Sequence, residues 1–340
     1  MIRKATVPMS TPSMQRAVCR SFDAGGNGVV VESAPIPAPG PGEVLVRTTA
    51  ANVSFVDRLI VRGGYQVRPP LPFTPGAVGA GEVVEAGDGV THLAPGTSVV
   101  VLLSGYGTWA THVVAPAWAV VPIPPNVPDE LAVAAIEAYG TASYALEERG
   151  GLRAGERLLV LGASGAVGAA AVEIAVHLDA EVIAVTSDPA TWDHHAVRPH
   201  AVVDRRCEPL RPTMKARYPG GVDVVLDPVG GDLAEAALRS LGPLGRYLVV
   251  GFASGAIPAL PTNQILLRNR TVVGVEWATW ITANSQHLAR TLEVVLNRLG
   301  RGVLHPPKPT LVALDELPAV LREPPPGAGL IRTVVIPSLC

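Results

Sequence analysis

The stretch RLLVLGASGAVGAAAVEIAVHL, residues 157–178, sets Gly162, Gly165 and Gly168 three apart between an apolar run and a helical one. This pattern can hold a pyrophosphate. Gly162 lets the chain turn tightly out of a strand, and Gly165 lets the backbone come close to the anion. Gly168 lets the following helix pack against the strands. Ala163, Ser164, Ala166 and Val167 complete the turn, and the helix start presents N–H groups to negative charge. A second glycine-rich stretch, TPGAVGAGEVVEAGDG at 74–89, lacks that context. Glu82, Val83, Val84 and Glu85 run straight into Gly87 and Gly89, so they read as a short strand and turn with no helix to receive a phosphate.

The elements that must position the first turn follow from hydrophobic pattern. Leu158–Leu161 is a short continuous apolar run, as in a strand buried on both faces, and a second strand is expected over Glu181–Val185. Val222–Asp227 runs into Pro228–Gly231, and Gly245–Gly251 runs into Phe252–Gly255. Both loops fall at the carboxyl edge of a parallel sheet, where ligands of such sheets bind. The fold class is therefore α/β, with a doubly wound parallel domain. The 35 glycines and 33 prolines make up about a fifth of the chain. The prolines gather toward the two ends, in PIPAPGPG, PPLPFTPG, PIPPNVP, PPKP and PPP, which suits a loop-rich β domain with tight turns. The expected organisation is a flexible tail over 1–13, a β-rich domain over 14–127 and 269–340, and a dinucleotide-binding domain over 128–268.

At 340 residues the chain can bury two cores. A net charge of −2 without any basic run excludes a nucleic-acid partner. No apolar stretch approaches the roughly 20 residues of a membrane span. The N-terminal MIRKATVPMSTPSMQ lacks the apolar core of a signal peptide, and Cys19, Cys207 and Cys340 cannot build a disulfide framework. A reducing cytoplasm is the expected setting.

Five stretches in order carry a resemblance: PIPAPGPGEVLVRTTAANVSFVDRLIVRGGY, PFTPGAVGAGEVVEAGDGVTHLAPG, LVLGASGAVG, VVLDPVGG and GRYLVVGFASG. From about Met14 to Val335 the sequence resembles the medium-chain dehydrogenase/reductase superfamily, in its zinc-free quinone-reductase-like and enoyl-reductase-like branch. The resemblance implies a Rossmann domain and a split β-rich, GroES-like substrate domain, with a nicotinamide cofactor, a small-molecule substrate and a homodimer. In zinc-dependent relatives the region matching 76–81 carries a metal-binding histidine, and zinc-free relatives keep a glutamate at Val78. Neither is present, nor is a cysteine near Ser54 or a four-cysteine lobe. His92, His112 and the pair His194–His195 have no convergent partners in the sequence, so no metal is expected.

The second strand closes on Thr186 and Ser187, small hydroxyl residues that resemble the NADP-using branch, although Asp188 follows directly. Arg205 and Arg206, after a third strand signal at 201–204, offer positive charge for a 2′-phosphate. NADPH is expected over NADH. By the resemblance, Phe252 and Ser254 match the loop passing the nicotinamide and Asn263 matches a segment entering the cofactor cleft. Glu276, Trp277 and Trp280 lie beyond it, either shaping the substrate pocket or packing at a dimer contact.

Without a metal, a hydride donor still reduces an activated carbon–carbon double bond or a quinone, and the product oxyanion needs hydrogen-bond donors and a proton. Tyr65, in RGGYQV, matches a tyrosine proposed as proton donor in the enoyl-thioester reductases this sequence resembles, with Gln66 in place of their proline. Ser54 stands where quinone reductases have an asparagine, Tyr139 near the start of the Rossmann domain is a further candidate, and Asp57 reads as a loop-holding residue. The leading expectation is an NADPH-dependent reductase of enones, enoyl compounds or quinones. Two alternatives stand beside it: a relative performing a non-redox cyclisation or addition, and a protein that binds NADPH without turnover.

Overall fold

The computed structural model describes residues 12–65, 68–104, 106–325 and 331–337. The chain opens with β1 (Ser13–Cys19), β2 (Val29–Pro35), β3 (Glu43–Val53), α1 (Phe55–Val61), β4 (Val78–Ala86), β5 (Ser98–Leu102), β6 (His112–Pro116) and β7 (Val120–Pro122). A middle section follows: α2 (Asp129–Ser143), β8 (Arg157–Leu161), α3 (Ala166–His177), β9 (Glu181–Thr186), β10 (Ala201–Asp204), α4 (Leu210–Arg217), β11 (Val222–Asp227) and α5 (Leu233–Ser240). It continues with β12 (Leu241–Val249), α6 (Thr262–Leu266), β13 (Thr271–Gly274), α7 (Ala278–Ala283) and α8 (Ser285–Gly300). The chain closes with β14 (Thr310–Ala313), α9 (Leu317–Arg322) and β15 (Thr333–Ile336).

Two compact units form. The first closes at Pro122 and takes up the chain again at Leu311–Pro325 and from Val334. Its sheet runs β14-β15-β3-β4-β5-β7, with β6 paired to β3, and β1 and β2 make a separate antiparallel pair. Alternating valines of β3, β4 and β5 (Val44, Val46, Val83, Val99 and Val101) are fully or almost fully buried in one cluster, as period-2 strands require. The glycines of 76–89 serve this sheet. A Cβ at Gly81 would lie 2.1 Å from the Arg47 carbonyl oxygen, so β3 and β4 cross there only over a bare backbone.

The second unit holds Ile123–Thr310 and the short segment ending at Thr333. Its strands are all parallel, in the order β10-β9-β8-β11-β12-β13. This is the doubly wound dinucleotide-binding order, with the switch point between β8 and β11. Leu159, Leu161, Ile183, Val185, Val225 and Tyr247 have no exposed surface, which explains why these strands read as unbroken apolar runs.

The structure shifts two expected boundaries. Ser13 already opens β1, while residues 1–11 of the expected tail lie outside the described residues. The return to the β-rich unit comes after Thr310 rather than at 269. The reason is physical: β13 adds a sixth strand to the parallel sheet, and α8 buries Leu288, Leu292, Leu296 and Leu299 along its face packed on α2.

Candidate functional site

The turn leaving β8 is built as its glycines require. Gly162 adopts φ +58°, in the left-handed region, and a Cβ there would meet Val229 Cγ2 at 2.5 Å. Gly165 caps α3 with extended backbone and no side-chain hydrogen bond, and α3 carries no acid in its first turn. At Gly168 a Cβ would sit 2.3 Å from the Gly162 carbonyl oxygen and 2.8 Å from Ala163 Cα, so α3 lies directly on the turn. Ala163 N–H donates to Val185 O at 3.0 Å, tying the turn to β9. Ser164, Gly165, Ala166 and Val167 remain half-buried, with the first-turn N–H groups of α3 facing outward from the helix.

The two hydroxyls after β9 have different roles. Thr186 is 1% exposed, donates to Ser164 Oγ at 2.9 Å and accepts from the Asp188 N–H at 2.9 Å. It fastens the end of β9 to the glycine turn, so as a phosphate-facing hydroxyl it is corrected to a structural residue. Ser187 stays half-buried. Arg206 is held by Asp204 at 2.9–3.0 Å, whereas exposed Arg205 has no side-chain hydrogen bond among the described residues. The Arg205 N–H donates to Thr186 O at 3.0 Å, which places its backbone beside the end of β9.

The loops after β11 and β12 pack on each other. Asp227, 1% exposed, accepts the Tyr247 hydroxyl and the N–H groups of Val229 and Gly230. Phe252 Cδ1 would lie 2.9 Å from a Cβ on Gly230, and the Ser254 N–H donates to Val229 O at 3.0 Å. Asn263 is exposed on α6, and no side-chain hydrogen bond joins it to the glycine turn among the described residues. Trp277 is buried with its ring edge against Gly140, where a Cβ would come within 2.7 Å, so it serves packing within the unit. Trp280 stacks on Tyr144 at 4.7 Å between ring centres, and its N–H donates to Glu276 Oε2 at 3.2 Å.

One residue was not singled out in the sequence. Arg332 is 8% exposed, and its Nε has no hydrogen-bond partner among the described residues. It lines a cavity of about 20 Å³ with Ala166, Ala169 and Ala170 of α3, Ala134, Ala138 and Tyr139 of α2, and Pro306–Pro307. A buried guanidinium without a counter-charge is costly, and an anion beside it would offset that cost. The available sequence signal was slight: a cation inside the apolar run LIRTVVI.

In the first unit, Ser54 and Asp57 form a capping box at the start of α1. The Asp57 N–H donates to Ser54 Oγ at 3.0 Å, and the Ser54 N–H donates to Asp57 Oδ2 at 2.9 Å. Ser54 is 3% exposed and thus holds the helix, with only its hydroxyl proton left to donate. Tyr65 is half-buried just past α1, while Gln66 lies outside the described residues. Tyr106 was also missed: its φ of +66° is unusual for a bulky residue, and its ring meets Phe73 at 5.8 Å. Burial first, then the charges of Asp57 and Tyr65, raise its hydroxyl above the ordinary tyrosine range.

Comparison with known proteins matches this architecture. The alcohol dehydrogenase GroES-like domain family matches residues 40–125, and the zinc-binding dehydrogenase family matches 166–293. Quinone oxidoreductase-like protein 2 of Mus musculus is 33% identical over 291 residues, covering 85% of this chain and 83% of its own. The Bos taurus protein of that name is 35% identical over 292 residues, with the same coverage. A probable oxidoreductase from Mycobacterium abscessus superposes with a TM-score of 0.81 at 32% identity, over 96% of this chain and all of its own. The chain belongs to the medium-chain dehydrogenase/reductase superfamily, in its quinone oxidoreductase-like branch.

Val78, where zinc-free relatives are expected to keep a glutamate, is 2% exposed and apolar. Ser54 caps α1, and His112 contacts Thr111 Oγ1 at 3.1 Å through Nδ1. Among the described residues no three His, Cys, Asp or Glu side chains converge as metal ligands. Tyr139 is corrected from a candidate proton donor to a packing residue. It is 5% exposed and donates its hydroxyl to Glu173 on α3, and burial followed by that carboxylate pushes its ionisation far above the tyrosine range. No helix among the described residues is long and apolar enough to cross a membrane.

Proposed function

We propose that this protein is a zinc-independent NADPH-dependent reductase of an activated carbon–carbon double bond or a quinone. The observation that carries the reading is buried Arg332, whose Nε has no hydrogen-bond partner among the described residues, in one pocket lining with Ala166 at the acid-free start of α3. Gly162, Gly165 and Gly168 would admit the dinucleotide, Arg332 and the α3 N–H groups would hold its pyrophosphate, and Ser164 and Ser187 would lie near its ribose. The nicotinamide, when bound, supplies hydride. Phe252 and Ser254 would border the nicotinamide end. Tyr65, with its hydroxyl proton, would donate to the carbonyl oxygen of the substrate and stabilise the charge developing there. The donor set at Ser54 and Val78 is unsuited to zinc, which favours chemistry without a metal.

The NADPH preference rests on exposed Arg205, whose backbone lies beside the end of β9. Arg205→Ala should weaken NADPH binding on the order of tenfold and leave NADH binding unchanged. Parallel fluorescence titrations check this, and an equal loss for both cofactors contradicts it.

A homodimer is also proposed. β13 is the last strand of the parallel sheet, with Val272 exposed, and Leu266 and Leu267 at the end of α6 just before it are 76% and 72% exposed; together they offer an apolar face that another copy would cover. Sedimentation should show twice the chain mass. The free thiols of Cys19 and Cys207 suit a reducing cytoplasm, and Cys340 lies outside the described residues.

The activity test is NADPH consumption with a panel of quinones and α,β-unsaturated carbonyl compounds, with products analysed by mass. A gain of two hydrogens supports reduction. The replacements at Val78 and Ser54 favour, as the second reading, a non-redox cyclisation or addition, which leaves the mass without that gain.

A further inference from the structure

Asp227 is a buried carboxylate that the chemistry above does not use. It ends β11, beside the switch point of the parallel sheet, and is 1% exposed. Its Oδ1 accepts the N–H groups of Val229 and Gly230, both at 2.8 Å, and its Oδ2 accepts the Tyr247 hydroxyl of β12. Tyr247 has no exposed surface. Burial, then the Asp227 charge, raises its ionisation far above the tyrosine range, so the hydroxyl keeps its proton for this bond. The backbone tightens the same knot, because the Asp227 carbonyl accepts the N–H groups of Val250 at 2.9 Å and Gly251 at 3.3 Å.

A carboxylate is a costly group to bury, and the sheet does not need this one for its register. β11 is already paired along its backbone with β8 on one side and β12 on the other. The side chain instead bonds N–H groups beyond the end of the strand. Val229, so held, places Cγ2 within 2.5 Å of where a Cβ on Gly162 would stand, so the loop after β11 lies on the glycine turn. The loop after β12 is fastened to it in turn. The N–H groups of Ala253 and Ser254 donate to Pro228 O and Val229 O at 3.1 and 3.0 Å, and a Cβ on Gly230 would stand 2.9 Å from Phe252 Cδ1. Residues 228–230 therefore cannot shift without moving both the Val229 contact on Gly162 and the Phe252–Ser254 loop. We propose that Asp227 is a positioning residue for the dinucleotide, holding these two loops at the spacing the cofactor requires. The inference rests on the cofactor reading of the glycine turn.

A carboxylate that served stability alone would, when removed, lower the melting temperature and leave the affinity of the folded protein unchanged. Positioning predicts a loss of affinity that is restored with the acceptor. Asp227→Ala removes the acceptor of both loop N–H groups, and its dissociation constant for NADPH, titrated well below the melting temperature, should rise roughly ten- to a hundredfold. Asp227→Asn is close to isosteric and keeps one oxygen for Val229 and Gly230. It should bind within about threefold of the wild type, although its melting temperature falls because Tyr247 must then accept from the amide. Normal binding by Asp227→Ala, or equal losses in both variants, overturns the positioning role. Where the alanine variant does not fold, amide hydrogen exchange of the wild type decides. NADPH should slow exchange across residues 228–231 and 252–254 by at least about threefold, and binding without that protection overturns the role. No NADPH binding by the wild type overturns the cofactor reading, and the role with it.

Discussion

A single methyl group at position 168 should abolish dinucleotide binding. The Cβ of Gly168→Ala would stand 2.3 Å from the Gly162 carbonyl oxygen, 2.8 Å from Ala163 Cα and 2.9 Å from the Gly162 carbonyl carbon. All three are backbone atoms of the turn, so no rotamer relieves the collision. Relief requires α3 to lift away from β8, which displaces the helix start that faces the anion. The expected cost is about 2–3 kcal/mol of stability, with a melting temperature lower by roughly 5–10 °C and NADPH affinity at least about a hundredfold weaker. Gly165→Ala is the informative contrast. Its Cβ meets only the Gly162 carbonyl oxygen, at 3.3 Å, so stability should change far less while binding is still impaired by the group placed in the anion's approach. Melting curves and NADPH titrations separate the two. Native-like binding by Gly168→Ala would contradict the packing argument.

Arg332→Met should separate binding from stability in the other direction. The guanidinium is 8% exposed and its Nε is unpaired among the described residues, so its burial carries a desolvation cost without a compensating partner. An apolar side chain of similar length should leave stability unchanged or raise it by about 1 kcal/mol. The same replacement removes the counter-charge of the pyrophosphate and should weaken NADPH binding on the order of ten- to a hundredfold. Denaturant unfolding and titration on the same samples test both halves. A variant that binds NADPH normally would move the anion site away from Arg332, and one that unfolds readily would show that the arginine holds the fold.

What was legible in the sequence was local. The glycine turn was readable because a left-handed residue, an open helix start and a close helix–strand contact impose glycine at fixed spacing. The parallel sheet was readable because strands buried on both faces leave unbroken apolar runs. The role of Thr186 was not, since its hydroxyl bonds Ser164 across 22 positions, and a small hydroxyl at a strand end looks alike whether it faces ligand or turn. Tyr139 had the same ambiguity, settled by Glu173 on a different helix. Arg332 joins a cavity whose other walls come from α2, α3 and the Pro306–Pro307 segment, a convergence no spacing encodes. The second domain boundary was misplaced because β13 spans only Thr271–Gly274, too short to announce a sixth strand.

The most direct test is to mix the purified protein with NADPH and a panel of quinones and enones, following nicotinamide absorbance and product mass together. Cofactor oxidation that depends on the second substrate, with a product two hydrogens richer, is the predicted result. Absence of NADPH binding, or a product formed without gain of hydrogen, would contradict the account.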